Sequence, residues 1–90
     1  KPFFIPNVFT PNNDFQNDVF YVYANGTVFY HITVFNRWGE KVYESYNIND
    51  GWDGKYQGKD AYAGIYTYVI EMNFLDSEVR KYIGSFTLLR

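Results

Sequence analysis

Two glycine-flanked tryptophans carry the chemistry this chain can offer. Asn36-Arg37-Trp38-Gly39-Glu40 and Gly51-Trp52-Asp53-Gly54 each set an indole beside glycine and a charged residue. Each segment can therefore bend sharply, bury a ring and still keep a charge in water. The chemistry that follows is recognition. Arg37 and Asp53 are the polar contacts, made either with each other or with a partner. Trp38 and Trp52 either anchor the two turns by packing or face a partner or a sugar, and packing is the preferred reading because burial is the commoner fate of such rings. A surface Arg37–Asp53 pair would be worth only about 0 to 1 kcal/mol, so its geometry would matter more than its energy.

Other clusters are weaker. Asn12, Asp14, Asn17 and Asp18 are oxygen donors of the type calcium takes, but the ion needs about six to eight of them and the usual glycine pivots are missing. An Asx-rich turn, in which these side chains bond nearby backbone, is the preferred reading. Asp50, Asp53 and Asp60 match no standard ion-binding spacing. His31 is the only histidine, and it falls opposite the expected core face, where a lone imidazole reads as an exposed strand residue. Ser45, Ser77 and Ser85 therefore lack the base and orienter that a nucleophile needs. Glu40, Glu44 and Glu71 are scattered candidates for paired carboxylates. The expectation is a chain with no catalytic site and no required cofactor. Asn25-Gly26-Thr27 fits a glycosylation triplet, although a turn explains the Asn-Gly pair fully.

The elements that must position these turns follow from composition. The chain is 47% hydrophobic and 23% aromatic, with ten Tyr and nine Phe among 90 residues, so its core is built from rings, which favours sheets over helices. Ninety residues make one domain, with little room for an enzyme cleft and a second module. There is no cysteine, hence no disulfide framework and no thiolate metal site. A formal net charge of −2 and a pI near 5.1 argue against a nucleic-acid surface. No apolar run approaches the roughly 20 residues of a membrane-spanning helix, and no charged-then-apolar leader opens the chain. Because it starts at Lys1 and not at Met, we read residues 1–90 as one domain of a longer protein.

Alternation supplies the strands. Phe3 to Phe9 is extended and interrupted by Pro6, which suits an edge. Val19 to Tyr23 reads as a short strand ending at Asn25-Gly26, a pair suited to a two-residue hairpin turn. From Val28 to Phe35, Val28, Tyr30, Ile32 and Val34 form the expected core face. The Trp38 turn leads into a partner strand, Lys41 to Tyr46. Residues 47–63 form the longest irregular stretch, with turn signals at Asn49-Asp50-Gly51 and Gln57-Gly58-Lys59-Asp60, and irregular stretches of this length are often functional. Gly64 opens the clearest strand, with Tyr66, Tyr68, Ile70, Met72 and Phe74 on one face. Asp76-Ser77 turns the chain into Val79 to Leu89, where Phe86 and Leu88 share a parity and Gly84 marks a bulge or a close backbone approach. The fold class predicted is all-β, a two-sheet antiparallel sandwich of about seven strands, with a closed barrel as runner-up.

Several spaced motifs, in order, resemble one family. Ile5-Pro6-Asn7-Val8-Phe9-Thr10-Pro11-Asn12, Asn17-Asp18, Phe35-Asn36-Arg37-Trp38-Gly39, Gly51-Trp52-Asp53-Gly54, Gly64-Ile65-Tyr66 and Leu88-Leu89-Arg90 resemble the gliding-motility-associated C-terminal domain. That family is the type B C-terminal sorting domain of the type IX secretion system of Bacteroidetes-type bacteria, and the resemblance runs nearly end to end. It implies an immunoglobulin-like β-sandwich that is not catalytic. Such a domain directs large exported cargo, lying N-terminal to it in the same chain, through the outer-membrane translocon to the cell surface or medium. One departure stands out: the family usually carries glycine where this chain has Asn13 and Phe15, which weakens any ion-binding role carried over from that loop. The partner-binding residues expected are Arg37, Trp38, Trp52, Asp53 and Arg90. The alternative is a carbohydrate-binding sandwich module of a secreted protein, marked by a planar row of rings on a sheet face.

Overall fold

Long strands form where apolar residues alternate without interruption, and the three longest build the centre of one sheet. The computed structural model describes residues 3–12, 18–75 and 77–90. In chain order the strands are β1 (Phe3–Phe4), β2 (Val8–Phe9), β3 (Tyr23–Ala24), β4 (Thr27–Phe35), β5 (Lys41–Ser45), β6 (Lys55–Tyr56), β7 (Lys59–Asp60), β8 (Gly64–Phe74) and β9 (Arg80–Leu88). The main sheet runs β2-β9-β8-β4-β5, with β1-β3 and β6-β7 as two small pairs. All pairings are antiparallel except β2 with β9. The chain is therefore all-β among its described residues, as the composition predicts. Pro6 lies between β1 and β2, where the chain leaves the small sheet and joins the edge of the large one.

One face of the main sheet is the floor of the core. Phe9, Tyr30, Ile32, Val34, Val42, Tyr66, Ile70, Met72, Phe74, Phe86 and Leu88 are buried there, and Phe20, Val22 and Trp52 cover them from the opposite side. Phe20 stacks on Phe86 with ring centroids 4.0 Å apart. Trp52 meets Tyr66 edge-on at 5.1 Å and Phe9 at 5.7 Å. Each such pair adds about 0.5 to 1.5 kcal/mol beyond its area burial. Tyr66, Ile70, Phe86 and Leu88 are buried as their parity predicts, and Tyr68 is half-buried.

The register explains where the alternation misleads. Thr27 pairs with Phe74 and Phe29 with Asn73, so Val28 is the extra residue of a bulge. It is 63% exposed and not part of the core face predicted for it. A second bulge lies where Val34 pairs with Tyr43 and Phe35 with Lys41. It brings Val42 and Tyr43 both toward the core and roughens the outer edge of β5, which carries Lys41 and Glu44. Such devices discourage edge-to-edge pairing.

Two further expectations are corrected. Asn25-Gly26 does not close a hairpin: β3 pairs with β1 and β4 with β8 and β5, so the turn, with Gly26 at φ +80°, passes the chain from one sheet to another. Val19 to Tyr23 is not a continuous strand. Phe20 makes a single bridge to Trp52, exchanging both backbone hydrogen bonds at 2.8 and 3.0 Å, and only Tyr23–Ala24 pairs with β1. Within residues 47–63, Gln57 and Gly58, both at positive φ, close the short β6-β7 hairpin. Gly84 marks a close approach, because a Cβ there would strike the Tyr68 ring and hydroxyl, while the β8-β9 register runs without a shift.

Candidate recognition surface

The turn between β4 and β5 is organised by one amide side chain. Asn36 Oδ1 accepts from the backbone N–H of Trp38 at 2.9 Å and of Glu40 at 3.0 Å, and Asn36 Nδ2 donates to Glu40 Oε1 at 2.8 Å. The backbone N–H of Gly39 donates to the Asn36 carbonyl at 3.0 Å, with Gly39 at φ +81°, a conformation that favours glycine. A turn held this way turns the next side chains outward. Trp38 is 65% exposed, which corrects the packed role preferred for it. The Arg37 guanidinium lies over the Trp38 ring at 5.1 Å, a cation–π contact worth about 0.5 to 1 kcal/mol at an exposed site. Its Nη2 also covers Gly64, where a Cβ would come within 2.9 Å of it.

The second tryptophan does the opposite. Trp52 is 2% exposed, and its indole N–H donates to the Lys55 carbonyl at 2.9 Å, so its polar edge is satisfied inside the fold. This is the packed anchor the sequence predicts. Asp53, exposed, accepts the backbone N–H of Lys55 at 3.0 Å. Among the described residues Arg37 and Asp53 form no ion pair with each other. Each serves its own turn.

Arg90 ties the chain end to this region. Its Nη2 donates to the Gly54 carbonyl at 2.8 Å, Nε to that of Ala61 at 3.0 Å and Nη1 to that of Pro11 at 3.4 Å. Asp60 lies 3.9 Å from Nη1 and accepts from Lys55 Nζ at 2.9 Å, and Lys55 with Arg90 hold the Asp60 carboxyl below its ordinary range. The planar fork of a guanidinium suits several carbonyls at once. Arg90 thus gathers Pro11, Gly54 and Ala61 into one surface, beside the Trp38 turn but separate from it.

Of the calcium candidates, Asp14 lies outside the described residues, as do Asn17 and the Asn13 and Phe15 departures. Within them, the backbone N–H of Asn12 donates to Asp18 Oδ1 at 3.0 Å, a contact between residues six apart and not the bond to the second residue onward that makes an Asx turn. Asp50 accepts from the Ser45 hydroxyl at 3.2 Å, while Asp53 and Asp60 have the separate partners given above. Among the described residues no three His, Asp or Glu side chains are arranged to hold a metal ion.

The alternation put His31 on the outer sheet face, but it is half-buried there and not the exposed residue expected, because neighbouring side chains cover it. His31 Nε2 lies 2.7 Å from Glu44 Oε2 and Nδ1 3.3 Å from Glu71 Oε1, and its ring stacks on Tyr46 at 4.2 Å. Lys41 Nζ holds the other Glu44 oxygen at 2.7 Å. Glu71 is the direct cross-strand neighbour of His31, so only the β4-β8 register joins them. The Glu44 bond, with that to Glu71, raises the His31 pKa against a smaller opposing effect of burial, and Lys41 and His31 lower that of Glu44.

The fold and its turns thus define an all-β domain that presents structured loops at one end of a ring-filled core. The sequence matches the model of the CHU_C type IX secretion signal domain over residues 3–88, and the chain belongs to that family. No curated protein matches it. Membership makes it a type IX secretion signal domain, a C-terminal sorting signal for export. No helix among the described residues is long and apolar enough to cross a membrane.

Proposed function

We propose that residues 1–90 are a single, non-catalytic C-terminal sorting domain, part of a longer exported protein, that targets a large cargo for type IX secretion to the cell surface or medium. The family match over residues 3–88 carries this reading. The partner is a component of the outer-membrane translocon, and the cargo is the set of domains N-terminal in the same chain. We read the fold as an immunoglobulin-like two-sheet sandwich. What supports this is a core lying between the β2-β9-β8-β4-β5 sheet and a cover formed by β1-β3 with Phe20 and Trp52. Arg37, Trp38, Asp53 and Arg90 are the groups a partner would reach, and Trp52 acts from within by holding the loops that display them. The reading requires no cofactor, so a chelator should leave the melting temperature where it was.

A carbohydrate module of the sheet-platform type would need rings in a plane. Most of the Phe and Tyr rings of the long strands turn into the core instead, and the exposed Phe4 and Tyr23 and half-buried Tyr21 are inclined to one another, by 36° between Phe4 and Tyr23 and 53° between Tyr21 and Tyr23. The test of sorting is a reporter directed to the periplasm of a type IX secreting host and fused to residues 1–90. Reporter on the surface or in the medium is the expected result, and Arg37→Ala or deletion of Leu88-Leu89-Arg90 should impair it, the deletion more severely because it also removes Leu88 from the core. Reporter left in the periplasm by the intact domain, in a host that exports its own cargo, would end the sorting reading.

A further inference from the structure

The Trp38 turn does more than project a ring, because it forms one wall of a groove whose other wall is the β6-β7 hairpin. The groove has a volume of about 350 Å³, within the roughly 300 to 1,000 Å³ of small-ligand sites. Trp38 and Tyr62 line it and are 65% and 76% exposed, while Tyr56 is half-buried and Tyr66 buried beneath them. The walls are rigidly placed. Asn36 fixes the Trp38 turn, the Tyr66 hydroxyl donates to the Tyr62 carbonyl at 2.6 Å, and Arg90 and Lys55 secure the base of the hairpin. Two exposed rings held apart across a groove bury nothing for the fold, and an ordered ring that the core does not use is a surface for something else.

The lining decides what that is. Glu40 and Asp60 bring carboxylates, Lys59 an ammonium and Gln57 an amide, so both signs of charge and both donors and acceptors surround the rings. Of the two carboxylates, Asp60 is already paired with Lys55 and faces Arg90, which leaves Glu40 and Lys59 of opposite sign and no strong field to select a charged ligand. A neutral polyol suits such walls, since every hydroxyl both donates and accepts, and the C–H faces of its pyranose rings match the apolar faces of indole and phenol. We infer that the groove between the Trp38 turn and the β6-β7 hairpin binds a neutral oligosaccharide by stacking on Trp38 and Tyr62. The inference does not rest on the sorting reading, and a loop groove is a different device from a row of rings on a sheet.

The two tryptophans make the test direct. Trp52 is buried, so a change in indole fluorescence on adding a saccharide reports on Trp38. Cellohexaose, laminarihexaose and maltohexaose are titrated separately to about 1 mM, the weak end of specific affinity. The expected result is a saturable blue shift with at least one of them. By calorimetry its affinity should fall roughly tenfold in Trp38→Ala and in Tyr62→Ala, as loss of a stacking ring would give, with Trp38→Phe retaining most of it and urea midpoints unchanged. The proposal is overturned by no saturable response to any of the three, by affinity unaltered in both alanine variants, or by a response confined to a proline-rich peptide, which would make the groove a peptide site.

Discussion

Arg90 and His31 show how much a single side chain does in a domain with few charges. Arg90 gives one guanidinium to the carbonyls of Gly54, Ala61 and Pro11, and a hydrogen bond to a charged group is worth about 1.5 to 3 kcal/mol when well made, less at a partly exposed site. Arg90→Ala should therefore lower stability by about 1 to 2 kcal/mol, read as a lower urea midpoint at unchanged slope. Arg90→Lys should restore less than half, because a point charge cannot fork to three carbonyls. Arg37, which only stacks on Trp38 and covers Gly64, is the contrast: its alanine variant should stay within about 1 kcal/mol of the parent. His31 sets a pH window. Its folded pKa is raised above the ordinary 6.5 by Glu44 and Glu71, so its contribution is fully present below that value and is lost as pH rises through the folded pKa. Glu44 is lowered below 4.5 by Lys41 and His31, so its contribution is present above 4.5 and is lost as pH falls through its folded pKa. Stability from this cluster should peak between those limits, and His31→Gln should flatten the alkaline limb of the melting-temperature profile. An unaltered profile in that variant would show that the cluster is not coupled to folding.

The long elements were legible in the sequence and the short ones were not, for a physical reason. β4, β8 and β9 carry enough alternating residues for their parity to fix a buried face, whereas β1, β3, β6 and β7 are two-residue pairings set by what lies beside them. The same limit explains Val28 and Asn25-Gly26. A bulge is a property of a pair of strands, and a turn residue shows that the chain bends without showing which sheet it enters. Trp38 and Trp52 look alike in sequence, each between glycine and a charge. Their fates diverge because Asn36 braces one turn outward, while the bridge between Phe20 and Trp52 draws the other inward. Gly84 is the element-scale feature that alternation did anticipate. It sits opposite Tyr68 in the β8-β9 ladder, in the space the Tyr68 ring occupies. Gly84→Ala should thus cost about 1 to 3 kcal/mol by overpacking. In a Tyr68→Ala background the same change should be close to neutral, giving a coupling energy of at least about 1 kcal/mol in a double-mutant cycle. Additive effects would show that Gly84 is needed for some other reason, such as local twist.

At the scale of the whole molecule, one ring joins the pieces. Trp52 lies between Phe9 of β2, Tyr66 of β8, Phe86 of β9 and Tyr43 of β5, and its backbone holds Phe20 over the sheet. The cover has no long strand of its own. Its attachment depends on rings reaching across the core, and Trp52 belongs to both the cover and the loop that displays Asp53. Truncation of a buried aromatic costs about 3 to 5 kcal/mol, a large share of the roughly 5 to 15 kcal/mol that a domain of this kind has in total. Trp52→Ala should therefore shift the urea midpoint far down and erase much of the near-ultraviolet circular dichroism. Trp38→Ala, at the exposed indole, should leave both unchanged. The unfolding of the parent should remain one cooperative transition by fluorescence and by far-ultraviolet dichroism, because cover and sheet share a single core and neither can open without exposing the same rings. Two separated transitions would mean that β1-β3 and the loops detach before the main sheet melts. Asp53, in the loop that Trp52 anchors, would then be on a mobile attachment, while Arg37 between β4 and β5 and Arg90 after β9 would stay with the main sheet, so a secretion partner would meet only part of this surface as a formed face.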